Sequence, residues 1–95
     1  LIDVIQVGNF VGEEGVGREL VLIKVRADSA TRSEVTQICD VFRGKIIDVA
    51  STSLIVEVTG NENKIEAFLS LIESFGILEL ARTGTVSLRR GKLDD

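Results

Sequence analysis

The 95-residue sequence contains no histidine, tryptophan, tyrosine, methionine or proline, and it has a single cysteine. The absence of histidine removes the commonest general base, metal ligand and pH switch of proteins. Because one cysteine cannot form an intrachain disulfide, Cys39 indicates a reducing compartment. No apolar run approaches the ~20 residues that span a bilayer. The sequence therefore argues against a catalytic, metal-binding or membrane-spanning protein.

The balance of charge argues against nucleic-acid binding. The formal net charge is −4 and the sequence pI is about 4.8, whereas nucleic-acid-binding domains are usually basic. A hydrophobic fraction of 44% and a charged fraction of 27% are typical of one soluble globular domain. The mean hydropathy of +0.27 is high for so small a protein. It indicates either a second surface covered by another chain or a high content of β-branched strand residues.

Two segments have helical periodicity. A helix is predicted over residues 31–42, where the apolar stripe consists of Val35, Ile38, Cys39 and Phe42. A second is predicted over residues 61–75, where the stripe consists of Ile65, Phe68, Leu69 and Ile72. Thr31 and Glu34 have the spacing of a capping box. A glycine follows each segment, at a position where glycine commonly ends a helix.

Extended segments flank these helices. They cover residues 18–27, 45–50 and 53–59, and a last run from residue 77 to 88 in which Thr83-Gly84 marks a bulge or bend. The element order is therefore strand, helix, strand, strand, helix, strand. That order predicts an α+β, ferredoxin-like βαββαβ fold, with two helices on one face of a four-stranded antiparallel sheet.

The sheet face away from the helices is predicted to be half apolar. Strand alternation places five apolar side chains there among three charged ones. The predicted members are Leu20, Leu22, Ile46, Ile55 and Ile77, with Lys24, Asp48 and Glu57. Such a face is apolar enough to pack against a partner, yet it carries enough charge to tolerate solvent. We therefore expect another protein surface to cover it.

The first 17 residues differ from the rest of the sequence. Residues 1–7 form an apolar, strand-like run, and glycines follow at positions 8, 12, 15 and 17. We interpret residues 1–17 as the last strand of a preceding domain plus a glycine-rich linker, and residues 18–95 as the domain itself. A phosphate-binding glycine loop opens a helix, but here a strand follows, and Glu13 and Glu14 would repel an anion.

Three other features have simple interpretations. Cys39 lies on the apolar stripe of the first helix, where a thiol is buried and inert. General acid–base catalysis by carboxylates requires two of them held as a pair, but the carboxylates of this sequence are scattered. The basic run at residues 89–92 belongs to an otherwise acidic chain, and the strands lack the aromatic residues on which RNA-recognition domains stack bases. None of these features predicts an active site.

Four blocks of sequence resemble one known family. They are RELVLIKV at residues 18–25, FRGKIIDV at 42–49, LIVEVTG at 54–60 and LARTGTVSLRRG at 80–91. In this order they resemble the C-terminal domain of the small regulatory subunit of acetolactate synthase, also called acetohydroxyacid synthase. The opening LIDVIQV resembles the last strand of that family's N-terminal ACT domain, which agrees with the predicted remnant strand and linker. The βαββαβ fold of the domain that follows is expected to be ACT-like.

The resemblance implies a non-catalytic subunit. In this family the small subunit binds a thiamine-diphosphate-dependent large subunit, raises its activity and confers feedback inhibition by branched-chain amino acids such as valine. The reaction condenses pyruvate with a second 2-oxo acid on the route to valine, leucine and isoleucine. The resemblance thus implies no cofactor on this chain, with thiamine diphosphate, magnesium and FAD on the large subunit. It also implies a homodimer, no nucleic-acid or membrane partner, and a bacterial cytoplasmic or plastid-stromal location.

The resemblance also guides the choice of site residues. ACT effector loops usually place a glycine between the first strand and the first helix, but residues 28–32 read DSATR. We therefore expect no effector site in this chain. The partner-interface candidates are Leu20, Leu22, Ile46 and Ile55, with the polar anchors Arg82, Thr83 and Arg89. Simpler interpretations stay open, in which Arg82 is solvated and Thr83-Gly84 relieves strand twist.

Two other functions stay open at this point. One is a free-standing ACT-like module that binds an amino acid. The other is a small ferredoxin-like enzyme such as an acylphosphatase, whose chemistry needs a glycine-rich anion loop with an arginine after the first strand. Residues 26–33 read RADSATRS and contain no glycine, which argues against the enzyme.

Overall fold

A computed structural model describes residues 15–91, in which two helices pack on one face of an antiparallel sheet. The strands are β1 (Gly15–Arg26), β2 (Lys45–Val49), β3 (Ser53–Gly60), β4 (Ile77–Arg82) and β5 (Val86–Arg89). The helices are α1 (Arg32–Val41) and α2 (Glu62–Ile72), and a 3₁₀ turn (Glu73–Phe75) follows α2. The main sheet has the order β2-β3-β1-β4, and β5 pairs with β1. The βαββαβ fold predicted from the sequence is confirmed, with one further strand.

The hydrophobic core lies between the helices and the inner face of the sheet. Alternate residues of the two central strands are at most 2% exposed, namely Val21, Ile23, Val25, Leu54, Val56 and Val58. The helices contribute the buried side chains of Val35, Cys39, Ile65, Phe68 and Ile72. The rings of Phe42 and Phe68 join the helices edge to face, with centroids 5.4 Å apart. The apolar stripes read from the sequence are therefore the core-facing sides of both helices.

The start of α1 differs from the predicted capping box. The Thr31 side chain makes no cap hydrogen bond. Instead, Oδ1 of Asp28 accepts hydrogen bonds from the backbone N–H groups of Ala30 and Thr31, at 2.9 and 3.1 Å. These bonds hold the pKa of Asp28 below its ordinary value, with the bond from the Thr31 N–H contributing most and that from Ala30 next. The capping-box prediction was wrong because the Thr31 amide and hydroxyl both donate to Oδ1 of Asp28, at 3.1 and 3.2 Å.

The glycine after α1 permits close packing rather than ending the helix. The residue with positive φ is Arg43, at 60°, one position before Gly44. A Cβ atom on Gly44 would lie 3.1 Å from Cγ2 of Val58 and 3.2 Å from Cγ1 of Val56. Glycine therefore lets the chain pass close to β3. After α2, by contrast, Gly76 does adopt a positive φ of 107°, as expected of a helix stop.

A β-bulge in β2 reverses the strand's alternation. Ile46 lies opposite Val56, whereas Asp48 lies opposite Ile55, so Ile47 is an extra residue between the two pairs. In a regular strand Ile46 and Asp48 would face the same side of the sheet, but the extra residue of the bulge turns them to opposite sides. Ile46 therefore lies on the helix side of the sheet, and its predicted placement with Asp48 on the other face was wrong.

A second bulge has the same effect in β4. Ile77 lies opposite Val25, whereas Glu79 lies opposite Lys24, which leaves Leu78 as the extra residue. Because Val25 is a core residue, Ile77 lies on the helix side and packs against the core. Its predicted place on the other face was also wrong.

Candidate partner-binding surface

The sheet face away from the helices, called the open face here, has an apolar centre. It is built from alternate residues of β1, β3 and β4. Leu22 lies between Glu57 of β3 and Ala81 of β4. Leu20 lies two residues before Leu22 on the same side of the sheet, and Ile55 of β3 is a diagonal neighbour of Leu22. Leu22 keeps 39% of its surface exposed. Three of the predicted apolar candidates, Leu20, Leu22 and Ile55, are therefore brought together.

Charged groups of both signs surround this centre. Nζ of Lys24 lies 3.2 Å from Oε2 of Glu79 in an exposed ion pair. Lys45 lies opposite Glu57, and Asp48 lies opposite Ile55. Exposed ion pairs contribute only about 0 to 1 kcal/mol to stability. These charges therefore contribute little to the free energy of folding of the domain.

A shallow hollow lies at the centre of the open face. Its volume is about 200 Å³, and its lining consists of Leu22, Lys24, Ile55, Glu79, Leu80 and Ala81. Sequence reasoning did not single out Ala81 or Glu79, although regular alternation from the predicted position of Ile77 would have placed both on this face. The hollow has room for an aliphatic side chain from another protein.

The first residues of β1 extend beyond the main sheet. There β1 pairs with β5, with Val16 opposite Leu88 and Arg18 opposite Val86. We call this two-stranded extension, Gly15–Arg18 with Val86–Arg89, the ribbon. Even-numbered residues of β1 share one side, so Val16, Arg18, Val86 and Leu88 continue the open face along the ribbon. Residues 15–17, predicted as linker, are therefore strand; the rest of the predicted remnant strand and linker lies outside the described residues.

The predicted bend is located where the ribbon joins the sheet. Val21 lies opposite Arg82 at the end of β4, and Arg18 lies opposite Val86 at the start of β5. Three residue steps along β1 therefore correspond to four steps along the chain from β4 to β5. One extra residue is accommodated there, and Gly84 takes a positive φ of 81°. The bulge or bend predicted at Thr83-Gly84 is confirmed.

Arg82 stabilises this junction from the helix side. Its Nε and Nη2 atoms donate to both carboxylate oxygens of Glu19, each at 2.9 Å, and Nη2 also donates to Oε2 of Glu66 on α2 at 3.2 Å. Glu19 is only 4% exposed. The hydrogen bonds from Arg82 lower the pKa of Glu19, although burial opposes the shift, and they raise the pKa of Arg82. Arg82 therefore binds β1, β4 and α2 together, on the side away from the open face.

Thr83 borders the apolar centre at Leu20, whereas Arg89 lies apart from it. The Thr83 N–H donates to the Leu20 carbonyl at 3.0 Å, and the Leu20 N–H donates to Oγ1 of Thr83 at 3.1 Å. These bonds close the strand pairing at the junction. Arg89 lies opposite Gly15 on the other side of the ribbon from Leu88. The three predicted polar anchors therefore do not converge on the open face.

The loop between β1 and α1 is closed by bonds within the chain. Nη2 of Arg32 donates to the carbonyl oxygens of Ala27, Ala50 and Ser51, at 3.0, 2.7 and 2.9 Å. Arg32 thus ties this loop to the turn between β2 and β3. Together with the bonds to Asp28, it engages the polar groups that a small ligand would need there.

Neither the cysteine nor a metal-binding cluster provides a chemical site among the described residues. Cys39 is buried, and burial, followed by the nearby charge of Asp40, raises the pKa of its thiol to about 11. Residues 15–91 contain no cluster of three side chains suited to hold a metal ion. No helix within that range is long and apolar enough to cross a membrane. A polar cavity of about 400 Å³ lies between the ribbon and the start of α2.

Known proteins with similar sequences identify the family. The family model described as the small subunit of acetolactate synthase matches residues 18–91. The chain belongs to this family. It is 50% identical over 91 residues to a small subunit of Mycobacterium bovis, covering 96% of this chain and 54% of that protein. It is 47% identical over 95 residues to the chloroplastic small subunit 2 of Arabidopsis thaliana, covering all of this chain and 20% of that protein.

A solved structure supports the same assignment. The crystal structure of the acetolactate synthase small subunit from Thermotoga maritima superimposes with a TM-score of 0.81 at 42% identity. The match covers 90% of this chain and 52% of that one. Both the resemblance noted in the sequence and the ferredoxin-like fold are confirmed. The chain spans about half the length of the bacterial small subunits that it matches.

Proposed function

We propose that this chain is part of a non-catalytic regulatory subunit that binds and activates the catalytic subunit of acetolactate synthase. The observation that carries the proposal is the family match over residues 18–91. The small-subunit names of the relatives imply a catalytic partner. That partner supplies the thiamine diphosphate, magnesium and FAD, and this chain supplies none of them. The proposed compartment is the bacterial cytoplasm or the plastid stroma, and nucleic acids and membranes are not partners.

The open face supports a role in protein binding. Its centre of Leu20, Leu22 and Ile55 is apolar, and the hollow beside Leu22 is open to solvent. We assign to this face the contacts within the regulatory assembly, including association of the small subunit with itself. Through these contacts the domain helps to transmit feedback inhibition by branched-chain amino acids to the catalytic subunit.

Reconstitution with the catalytic subunit tests the proposal. The intact small subunit is expected to raise the rate of acetolactate formation, and Leu22→Asp is expected to weaken this activation. Leu22→Lys provides a second variant, because its cation is attracted by Glu57 on the neighbouring strand, whereas the carboxylate of Leu22→Asp is repelled by it. Val41→Asp is the control, since Val41 is 75% exposed on α1, on the other side of the sheet. Wild-type activation by both Leu22 variants would refute the role of this face, and no activation by the intact protein would refute the proposed function.

The effector is proposed to bind outside residues 15–91. In this range Asp28 and Arg32 engage the polar groups of the loop between β1 and α1. Asp28→Ala and Arg32→Ala in the intact protein are therefore expected to leave valine affinity unchanged in isothermal calorimetry. A loss of valine binding in either variant, with the fold retained, would place an effector site at this loop.

A further inference from the structure

We propose that the ribbon is an arm hinged at residues 83–85 and that Arg82 is the positioning residue that fixes the angle of this arm to α2. This property of the fold goes beyond the proposed function and does not depend on the catalytic subunit. Three features support it: the structure of the ribbon, the bonds at its base and the space beside it.

The ribbon is too small to hold its own direction. It has four residues in each strand, Gly15–Arg18 and Val86–Arg89. In the described part of the chain no third strand pairs with these residues. A two-stranded ribbon is at best marginally stable alone, because it lacks further strands or a helix packed on one face. The direction of the ribbon is therefore set where it joins the main sheet.

The ribbon has space to bend towards the helices. On the helix side of the ribbon, β1 presents Gly15 and Gly17, which have no side chains to pack against α2. A cavity of about 400 Å³ lies between these glycines and the start of α2, where Asn61 and Asn63 line it. A side chain on Gly17 would not fit, since its Cβ atom would lie 2.9 Å from Cγ2 of Thr85. The angle between the ribbon and α2 is thus not fixed by side chains of β1 packed between them.

Two sets of bonds hold the base of the ribbon, and they resist different motions. The bonds between Thr83 and Leu20, at 3.0 and 3.1 Å, join neighbouring strands and resist their separation. Arg82 donates to both carboxylate oxygens of Glu19, each at 2.9 Å. It also donates to Oε2 of Glu66 on α2 at 3.2 Å. A bond from the sheet to the helix layer resists bending out of the plane of the sheet, so Arg82 opposes the motion that the cavity allows.

The connection between Arg82 and the ribbon has the properties of a hinge. Gly84 has a positive φ of 81°, and no atom lies within 4 Å of the position that a Cβ atom would occupy there. Hinges consist of a few residues at the ends of elements that absorb changes in φ and ψ. The Gly84 N–H donates to the carboxylate of Glu19, which Arg82 also holds. Arg82 therefore acts on the hinge through Glu19 and on α2 through Glu66.

The angle of the ribbon has a consequence for the whole chain because β1 is continuous. This strand runs from Gly15 in the ribbon to Arg26 in the main sheet. The angle of the ribbon therefore determines where the chain before Gly15 enters the domain. With the bonds of Arg82 broken, this point of entry varies while the main sheet stays unchanged.

Distances between spin labels in the intact small subunit test the proposal. One label is attached on the ribbon at Leu88→Cys and the other on α2 at Ser70→Cys, and labelled protein is diluted with unlabelled protein so that distances within one subunit are measured. Pulsed electron paramagnetic resonance is expected to give one narrow distribution of distances, which Glu66→Ala broadens about twofold. Glu66 is 57% exposed, so its loss should leave the domain folded. Glu34→Ala, which removes an exposed carboxylate from α1, is the control and should leave the distribution narrow.

A second pair of labels distinguishes a change in the ribbon from a loss of the fold. Here Ile47→Cys on β2, where Ile47 is 52% exposed, replaces the ribbon label, and Ser70→Cys is kept. The native Cys39 should take up little label, since it is buried and burial raises the pKa of its thiol. Broadening of the ribbon pair alone, in Glu66→Ala or in Arg82→Gln, supports the proposal. An unchanged ribbon pair in both variants, or equal broadening of the two pairs, overturns it.

Discussion

The two faces of the sheet differ sharply, although they are made from the same strands. Leu22 and Ile23 are neighbours on β1, but Leu22 is 39% exposed and Ile23 is 1% exposed. The centre of the inner face is apolar and covered by both helices, and the Glu19–Arg82 ion pair lies at its edge. The open face has an apolar centre surrounded by Lys24, Glu57 and Glu79. Strand alternation thus lets one segment bury apolar side chains on one side and present a half-apolar, solvent-exposed surface on the other.

The largest expected effect comes from placing a charge on the inner face. Ile23→Asp would bury a carboxylate among core side chains without a partner, at a cost of about 4 kcal/mol or more. The domain is expected to unfold, which hydrogen–deuterium exchange of the intact protein would register as loss of amide protection in β1 and β3. Retained protection would mean that the inner face tolerates charge, and the contrast between the faces would fail.

A smaller effect is expected where the network at the junction is broken. Arg82→Ala leaves Glu19, which is 4% exposed, without its bidentate partner. The free energy of unfolding is expected to fall by about 2 to 3 kcal/mol. The measurement is the exchange protection of β1 and β4, with Arg43→Ala on the surface as control. The double variant Arg82→Ala/Glu19→Ala should recover part of the loss, since the unpaired carboxylate is then gone. A loss below about 0.5 kcal/mol would restore the interpretation of Arg82 as a solvated residue.

The order of elements was predictable from the sequence because helical stripes, strand alternation and flanking glycines agree. The side of the sheet on which each residue of β2 and β4 lies was not predictable, because bulges at Ile47 and Leu78 reverse the alternation. Nothing local in KIIDV or ILELAR marks those extra residues; they are defined only by pairing with the next strand. The same holds for Glu19, whose burial depends on Arg82, 63 positions later.

The pH dependence of stability distinguishes the two faces further. Because Arg82 lowers the pKa of Glu19 in the folded protein, the unfolded protein binds more protons near and below the ordinary value of 4.5. The contribution of Glu19 is therefore fully present above about pH 4.5 and is lost as the pH falls through the lowered value. Acid denaturation of Glu19→Gln should have a shallower slope in this range than that of the wild type. The exposed Glu79→Gln on the open face is the control, and equal slopes for the wild type and Glu19→Gln would contradict the role of the buried pair.

The smallest effect on folding is expected at the centre of the open face. Leu22→Lys replaces an exposed apolar side chain with a cation opposite Glu57, a cross-strand pairing that offsets the lost apolar contact. The free energy of unfolding should change by no more than about 0.5 kcal/mol, measured by the same exchange protection as for Ile23→Asp. A change of several kcal/mol would make Leu22 part of the core rather than of a binding surface. If stability is retained while activation of the catalytic subunit is lost, adjacent residues of β1 have separate tasks, because Ile23 holds the domain together and Leu22 serves its association with other chains.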